Sequence, residues 1–234
     1  RRARPLLALP RTMIDQLPRW VWVAGGALSF AAGLMNAVGL LAFGAEAVTH
    51  LTGTTTLIAG HLGFGRWDSA LHLLGILGAF CLGAVFSGWL IRDEHLRLGR
   101  RYTVALGIEA LLVLAATQAF FWREPAAYYL LASAVGLQNA MATTFSGAVM
   151  RTSHLSGMFT DLAIYLGHAL RGLPVAKKRI AVCLLVIGGF ASGALVGAWG
   201  MRWIGPGVLL VAAAIAAGLA IAHALRPAPH AGKV

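Results

Sequence analysis

On a helix that advances about 100° per residue, positions i, i+7, i+11 and i+14 nearly superimpose. His154, Asp161, Tyr165 and His168 have that spacing, so residues 152–170 carry one polar face with two imidazoles, a carboxyl and a phenol. Such a row can pass protons or hold a cation. His50, Thr54, Leu57 and His61 form a matching face in residues 46–64, without a carboxyl. Hydroxyls crowd both stretches, at Thr52, Thr54, Thr55 and Thr56 in the first and at Ser156 and Thr160 in the second. Gly53 and Gly157 lie among them, where the missing Cβ lets the backbone open and present groups that bind ions or polar solutes. Asn36 and Asn139 precede the two stretches and are expected to reach in from neighbouring helices. The competing reading of all these hydroxyls is interhelical packing.

An ionised carboxylate in hydrocarbon costs on the order of 3 kcal/mol by insertion scales, so Asp161 has to face a bundle interior, water or a partner. Glu109 stands alone in the run 102–122, with Tyr102 two turns before it. Both are candidate proton or cation groups of the kind a coupled carrier needs. Histidines and a carboxyl invite a metal, but the chain has no H-E-x-x-H, no cysteine pair at ligand spacing and no i, i+4 histidine pair. No metal site is expected. Nucleophile elbow, phosphate loop and dinucleotide fingerprint are absent as well, so no catalytic residue and no cofactor is assigned.

The polar stretches belong to a duplication. Gly33-Leu34-Met35-Asn36-Ala37, then Phe43-Gly44, then His50-Leu51-Thr52-Gly53 and Thr56 return as Gly136-Leu137-Gln138-Asn139-Ala140, Ser146-Gly147, and His154-Leu155-Ser156-Gly157 with Thr160. Further on, Phe80, Gly83, Ala84 and Trp89 match Phe190, Gly193, Ala194 and Trp199. Two halves that each carry a polar, glycine-interrupted segment in apolar surroundings are the pattern of carriers whose site lies between repeats.

The elements that position these residues follow from hydropathy. The chain is 59% hydrophobic and 12% charged, with a mean hydropathy of +0.76, against about 25% charged for soluble domains. Runs 20–45, 69–91, 125–150, 180–201 and 203–225 contain no Asp, Glu, Lys or Arg, and 102–122 contains only Glu109. Each is long enough to cross a hydrocarbon core of about 30 Å, which predicts six spans. The seven tryptophans fall near predicted span ends, as an interfacial aromatic belt requires. Net charge +11 arises from residues between the spans, so it reads as membrane topology and excludes nucleic acid as the partner. Arg1, Arg2, Arg4, Arg11 and Arg19 read as a cytoplasmic anchor, and no cleavable signal pattern is evident. Cys81 and Cys183 lie mid-span and are read as packing residues.

Topology turns on whether 46–64 and 152–170 cross. If neither does, Lys and Arg divide 16 inside to 3 outside, with Arg66, Arg123 and Arg202 outside; if both do, the division is 13 to 6. The positive-inside rule favours six spans, and three spans per half make the repeats inverted. Eight spans with parallel halves is the alternative.

At these motifs the chain resembles the YoaK-type family of small bacterial membrane proteins, a domain of unknown function. The resemblance rests on Gly33 to Ala37, Thr52-Gly53-Thr54, Gly136 to Ala140 and Ser153-His154-Leu155-Ser156-Gly157, and covers roughly residues 25 to 222. It implies the fold and a bacterial inner-membrane location, with no substrate. Asn36 stands where the family often has Asp, and Thr54 where it has Asn.

The expected fold is all-α and polytopic: a basic segment 1–19, a first repeat 20–122, a second repeat 125–226 and a polar tail 227–234, with six long helices and two short polar or broken ones. Both termini are expected to be cytoplasmic. The expected function is transport of an unidentified small solute or ion, possible proton coupling included, through a pathway made of Asn36, His50, Thr52, Gly53 and Thr56, Glu109, and Asn139, His154, Ser156, Gly157, Thr160 and Asp161. The lipid bilayer is the implied partner, and an oligomer is left open. A membrane scaffold, accessory or sensor protein, and a membrane-embedded enzyme using His154 and Asp161, are the alternatives.

Overall fold

The computed structural model describes residues 18–44, 46–91, 100–147, 149–175 and 177–225. The anchor arginines before Arg19, Arg92 and Arg97, and the tail 227–234 lie outside the described residues. Among these residues there are eight α-helices: α1 Arg19–Leu41, α2 Leu51–Gly63, α3 Trp67–Leu90, α4 Arg100–Phe121, α5 Ala126–Phe145, α6 Leu155–Leu170, α7 Lys177–Ile204 and α8 Leu209–Ala224. A short 3-10 turn, Gly205–Val208, separates the last two. Gly205 adopts the left-handed conformation (φ 57°) and Pro206 follows, which together stop α7.

Four helical runs are long and apolar enough to cross a membrane: Arg19–Leu41, Trp67–Leu90, Arg100–Phe121, and Lys177–Ala224, which joins α7 and α8. This is a helical membrane protein by length and composition. The expectation of six separate long spans is thereby reduced to four apolar runs. The 20-residue α5 is not one of them. Its last two turns carry Gln138, Asn139, Thr143 and Thr144, which lower its hydropathy.

Aromatic and polar contacts define two ends of the bundle. At one, the near end, Trp20 and Tyr102 pack on Phe145 and Thr103 bonds His223 at 2.6 Å. At the other, the far end, Phe43, Phe120 and Tyr128 pack edge to face, and His72 bonds the Tyr129 hydroxyl at 2.8 Å. Helices α1 and α4 therefore run from near to far, and α3, α5 and α8 from far to near.

The first helix of each half packs on the third helix of the other. A Cβ on Gly33 would overlap the carbonyl of Phe190, and one on Gly193 would overlap that of Phe30; Gly136 and Phe80, and Gly83 and Ser133, repeat the arrangement between α5 and α3. Glycine is required because only the absence of Cβ lets the two backbones approach so closely. Along α7, Gly189, Gly193 and Gly197 meet successive turns of α1 at Gly26, Phe30 and Leu34, so the pair is parallel and the glycine stripe serves internal packing.

Helix α2 does not continue the direction of α1. The intervening chain turns back along it, bringing the Glu46 carbonyl beside Gly39 and the Thr49 amide to Asn36 Oδ1 at 3.1 Å. Since α3 starts from the far end after the short turn 64–66, α2 starts partway down α1 and returns to the far end. In the second half the chain turns back from the near end to Asn139, and α6 returns along α7, with Tyr165 facing Arg179. The two short helices thus enter from opposite ends of the bundle.

Candidate functional site

The two turned-back segments meet at a cavity of about 1050 Å³. It is built from equivalent pairs of the two halves: Asn36 with Asn139, Thr49 with Ser153, His50 with His154, Thr52 with Ser156, and Phe80 with Phe190. Two further pairs break the likeness. Arg151 stands where the first half has Ala47, and Thr143 where it has Leu40.

Each asparagine clamps its own loop. Asn36 Oδ1 accepts the Thr49 amide at 3.1 Å and the Thr49 hydroxyl at 2.8 Å. Asn139 Oδ1 accepts the Ser153 amide at 3.2 Å and the Thr152 hydroxyl at 2.9 Å, while its Nδ2 donates to the Ser153 hydroxyl. The second loop is held once more, by buried Gln138, whose Nε2 donates to the Leu28 carbonyl and the Thr152 hydroxyl, both at 2.8 Å. The corresponding first-half residues are apolar Met35 and Val48.

His50 and His154 are the residues just before α2 and α6, and neither side chain caps its helix. Their imidazoles fold over Gly53 and Gly157, in the space that a Cβ there would fill. This corrects the expectation that these glycines open the backbone. Both lie inside regular helix, without a left-handed φ, and what they provide is room for a ring.

Hydrogen bonding also divides the hydroxyls. Those of Thr54, Thr55 and Thr56 donate to the carbonyls of His50, Leu51 and Thr52, and that of Thr160 to the carbonyl of Ser156. Thr56 and Thr160 are therefore occupied within their helices and do not line the cavity. Thr52 and Ser156 do line it, and their hydroxyls have no hydrogen-bond partner among the described residues.

Of the predicted residues, the structure brings together Asn36, His50, Thr52, Asn139, His154 and Ser156. Asp161 and Gly157 lie outside, in a groove of about 410 Å³ between α6 and α7 that also exposes Tyr165 and Arg179. Glu109 is fully buried in α4, away from the cavity, and neither carboxyl oxygen has a hydrogen-bond partner among the described residues. Sequence reasoning missed Arg151, Thr49 and Ser153. Arg151 carried a signal: it is a lone cation four residues before the polar helix α6, and its counterpart in the other half is alanine.

A family model described as "Protein of unknown function (DUF1275)" matches residues 24–222. The chain belongs to the DUF1275 family. The YoaK-type resemblance of its motifs is consistent with that membership. No curated protein and no solved structure matches the chain. The match spans both halves of this DUF1275 protein, so the paired loops and the cavity between them lie wholly within the family's extent.

Proposed function

We propose that this protein transports a small solute or ion across the bacterial inner membrane. The observation that carries the reading is the cavity itself. Two polar loops, each followed by a half-length helix, converge on it from opposite ends of an apolar bundle. Unwound segments at membrane depth are tolerated where they line such a space, and placing a site between inverted halves lets either end be opened in turn.

In this reading α1, α3, α4, α5, α7 and α8 cross the bilayer, and α2 and α6 dip in and return. The near end is cytoplasmic: it collects Arg19, Arg100, Arg101, Arg171, Lys177, Lys178 and Arg179, whereas Arg66, Arg123 and Arg202 lie toward the far end. Both chain termini then face the cytoplasm. Five tryptophans, Trp67, Trp89, Trp122, Trp199 and Trp203, project outward with 64–77% of their surface exposed, where an interfacial belt would sit. Glu109 is kept as the candidate coupling group, acting from α4 rather than from the cavity wall.

Single-cysteine labelling in cells tests this, in a background of Cys81→Ala and Cys183→Ala. Arg66→Cys should be labelled from outside and Arg171→Cys only from inside. Thr52→Cys and Ser156→Cys should both react with a small thiol reagent that enters the cavity. Labelling of 66 and 171 from one side would overturn the inverted arrangement, and inert cysteines at both 52 and 156 would favour a scaffold.

A further inference from the structure

The polar inventory of the cavity is one-sided. Among the described residues no Asp or Glu lines it, and Arg151 is the one Lys or Arg in its wall. That guanidinium is exposed and has no hydrogen bond or ion pair among the described residues. The strongest acceptors present, the oxygens of Asn36 and Asn139, are already engaged by loop donors. Among the described residues, the lining side chains left unengaged can all donate: Arg151, the Thr52, Thr144 and Ser156 hydroxyls, the two imidazoles and Asn36 Nδ2, of which the hydroxyls and imidazoles can also accept.

The backbone adds to this bias. The first intrahelical bonds of α2 and α6 are from Thr54 to the His50 carbonyl and from Met158 to the His154 carbonyl. The amides of the preceding turn therefore have no intrahelical acceptor, and residues of both first turns, Leu51 with Thr52 and Leu155 with Ser156, line the cavity. The positive ends of both helices thus face the space that holds the unpaired guanidinium. A cation placed there would meet the like charge of Arg151, with no carboxylate among the described lining residues to offset it; an anion would pair with the guanidinium and accept from the donors.

Resting on the transport reading of this cavity, we propose that its substrate is a small anion, held between the first turns of α2 and α6 with Arg151 as its charge partner. Charge-assisted bonds to a guanidinium are the strongest the site can form. Arg151 and His154 also line the α6–α7 groove, where Arg179 stands with Asp161, the one carboxylate among its described lining residues. Two cations against one carboxylate mark that groove as the approach from the near end. The first half offers no counterpart, since Ala47 and Leu57 stand where the second half has Arg151 and Asp161.

The test uses the full chain, purified and then reconstituted into liposomes. Thermal stability and flux are measured with sodium chloride, nitrate, formate and sulfate at constant ionic strength, with potassium and ammonium gluconate, and with urea and glycerol. One of the four anions should stabilise the protein saturably and cross the bilayer. Arg151→Ala should raise the half-saturating concentration about tenfold or more, with partial recovery in Arg151→Lys and a smaller loss in Ser156→Ala. Each variant is first shown to match the parent's melting temperature without added solute, and Ser156→Ala serves if Arg151→Ala does not. Flux of only a cation or a neutral solute overturns the anion assignment and leaves transport standing. Stabilisation by an anion that depends on Arg151 but comes without flux upholds the anion site and overturns transport. An anion effect that Arg151→Ala and Ser156→Ala leave unchanged, or no anion effect at all, overturns the assignment.

Discussion

The imidazole of His154 occupies the space that a side chain on Gly157 would need. His50 and Gly53 repeat the relationship in the other half, so the spacing His-x-x-Gly works as a seat that holds a ring at the mouth of a helix beside the cavity.

Gly157→Ala should displace that ring without unfolding the protein, because the clash is with the end of a side chain that can rotate. In a His154→Ala background the same change should stabilise by about 0.5–1 kcal/mol, since alanine orders less entropy into a helix than glycine. A double-mutant cycle on melting temperature reads the coupling. Equal effects of Gly157→Ala in both backgrounds would sink the seat argument.

Among the described residues Asn36 only accepts, whereas Asn139 both accepts and donates. Asn36→Asp should therefore keep both loop bonds and stay close to parent stability. Asn139→Asp should lose its donor to Ser153 and cost about 1–3 kcal/mol. The measurement is thermal unfolding of the two variants side by side.

Buried Gln138 bridges α1 and the second loop, a link the first half lacks. Gln138→Met should cost about 1–3 kcal/mol through the lost bonds to Leu28 and Thr152. Adding Thr152→Val rebuilds the apolar Met35–Val48 pair of the first half and should return part of that loss. No recovery in the double variant would mean that the bridge is not the source of the cost.

At Gly33 and Gly193 a methyl group would meet backbone, which cannot rotate away. Either residue changed to Ala should separate α1 from α7 and cost about 1–3 kcal/mol or more. Gly188→Ala is the control, for nothing lies within 4 Å of its would-be Cβ. It should be neutral or slightly stabilising.

Glu109→Gln keeps the shape of the side chain and removes its proton. If Glu109 couples transport to protons, flux in liposomes should lose its response to an imposed pH gradient while downhill flux persists. A retained response would move coupling elsewhere, with Asp161→Asn the next variant to measure.

The sequence alone determined the duplication, the all-helical membrane character and the residues that come in equivalent pairs, because hydropathy and spacing are properties of each segment by itself. It also located six residues of the cavity wall, since a polar group in an apolar run has few places to go. Only the tertiary structure decided that each first helix packs on the third helix of the other half, a choice made by backbone contact at Gly33, Gly83, Gly136 and Gly193. It likewise decided which hydroxyls remain available, because Thr52 and Thr56 look alike in sequence and differ only in whether a carbonyl takes the proton. Helical periodicity put Asp161 on the face of His154, but only the position of α7 turned that face toward a side groove and left Arg151 as the charge of the cavity. A period fixes which residues share a face; the neighbouring helix fixes what that face meets.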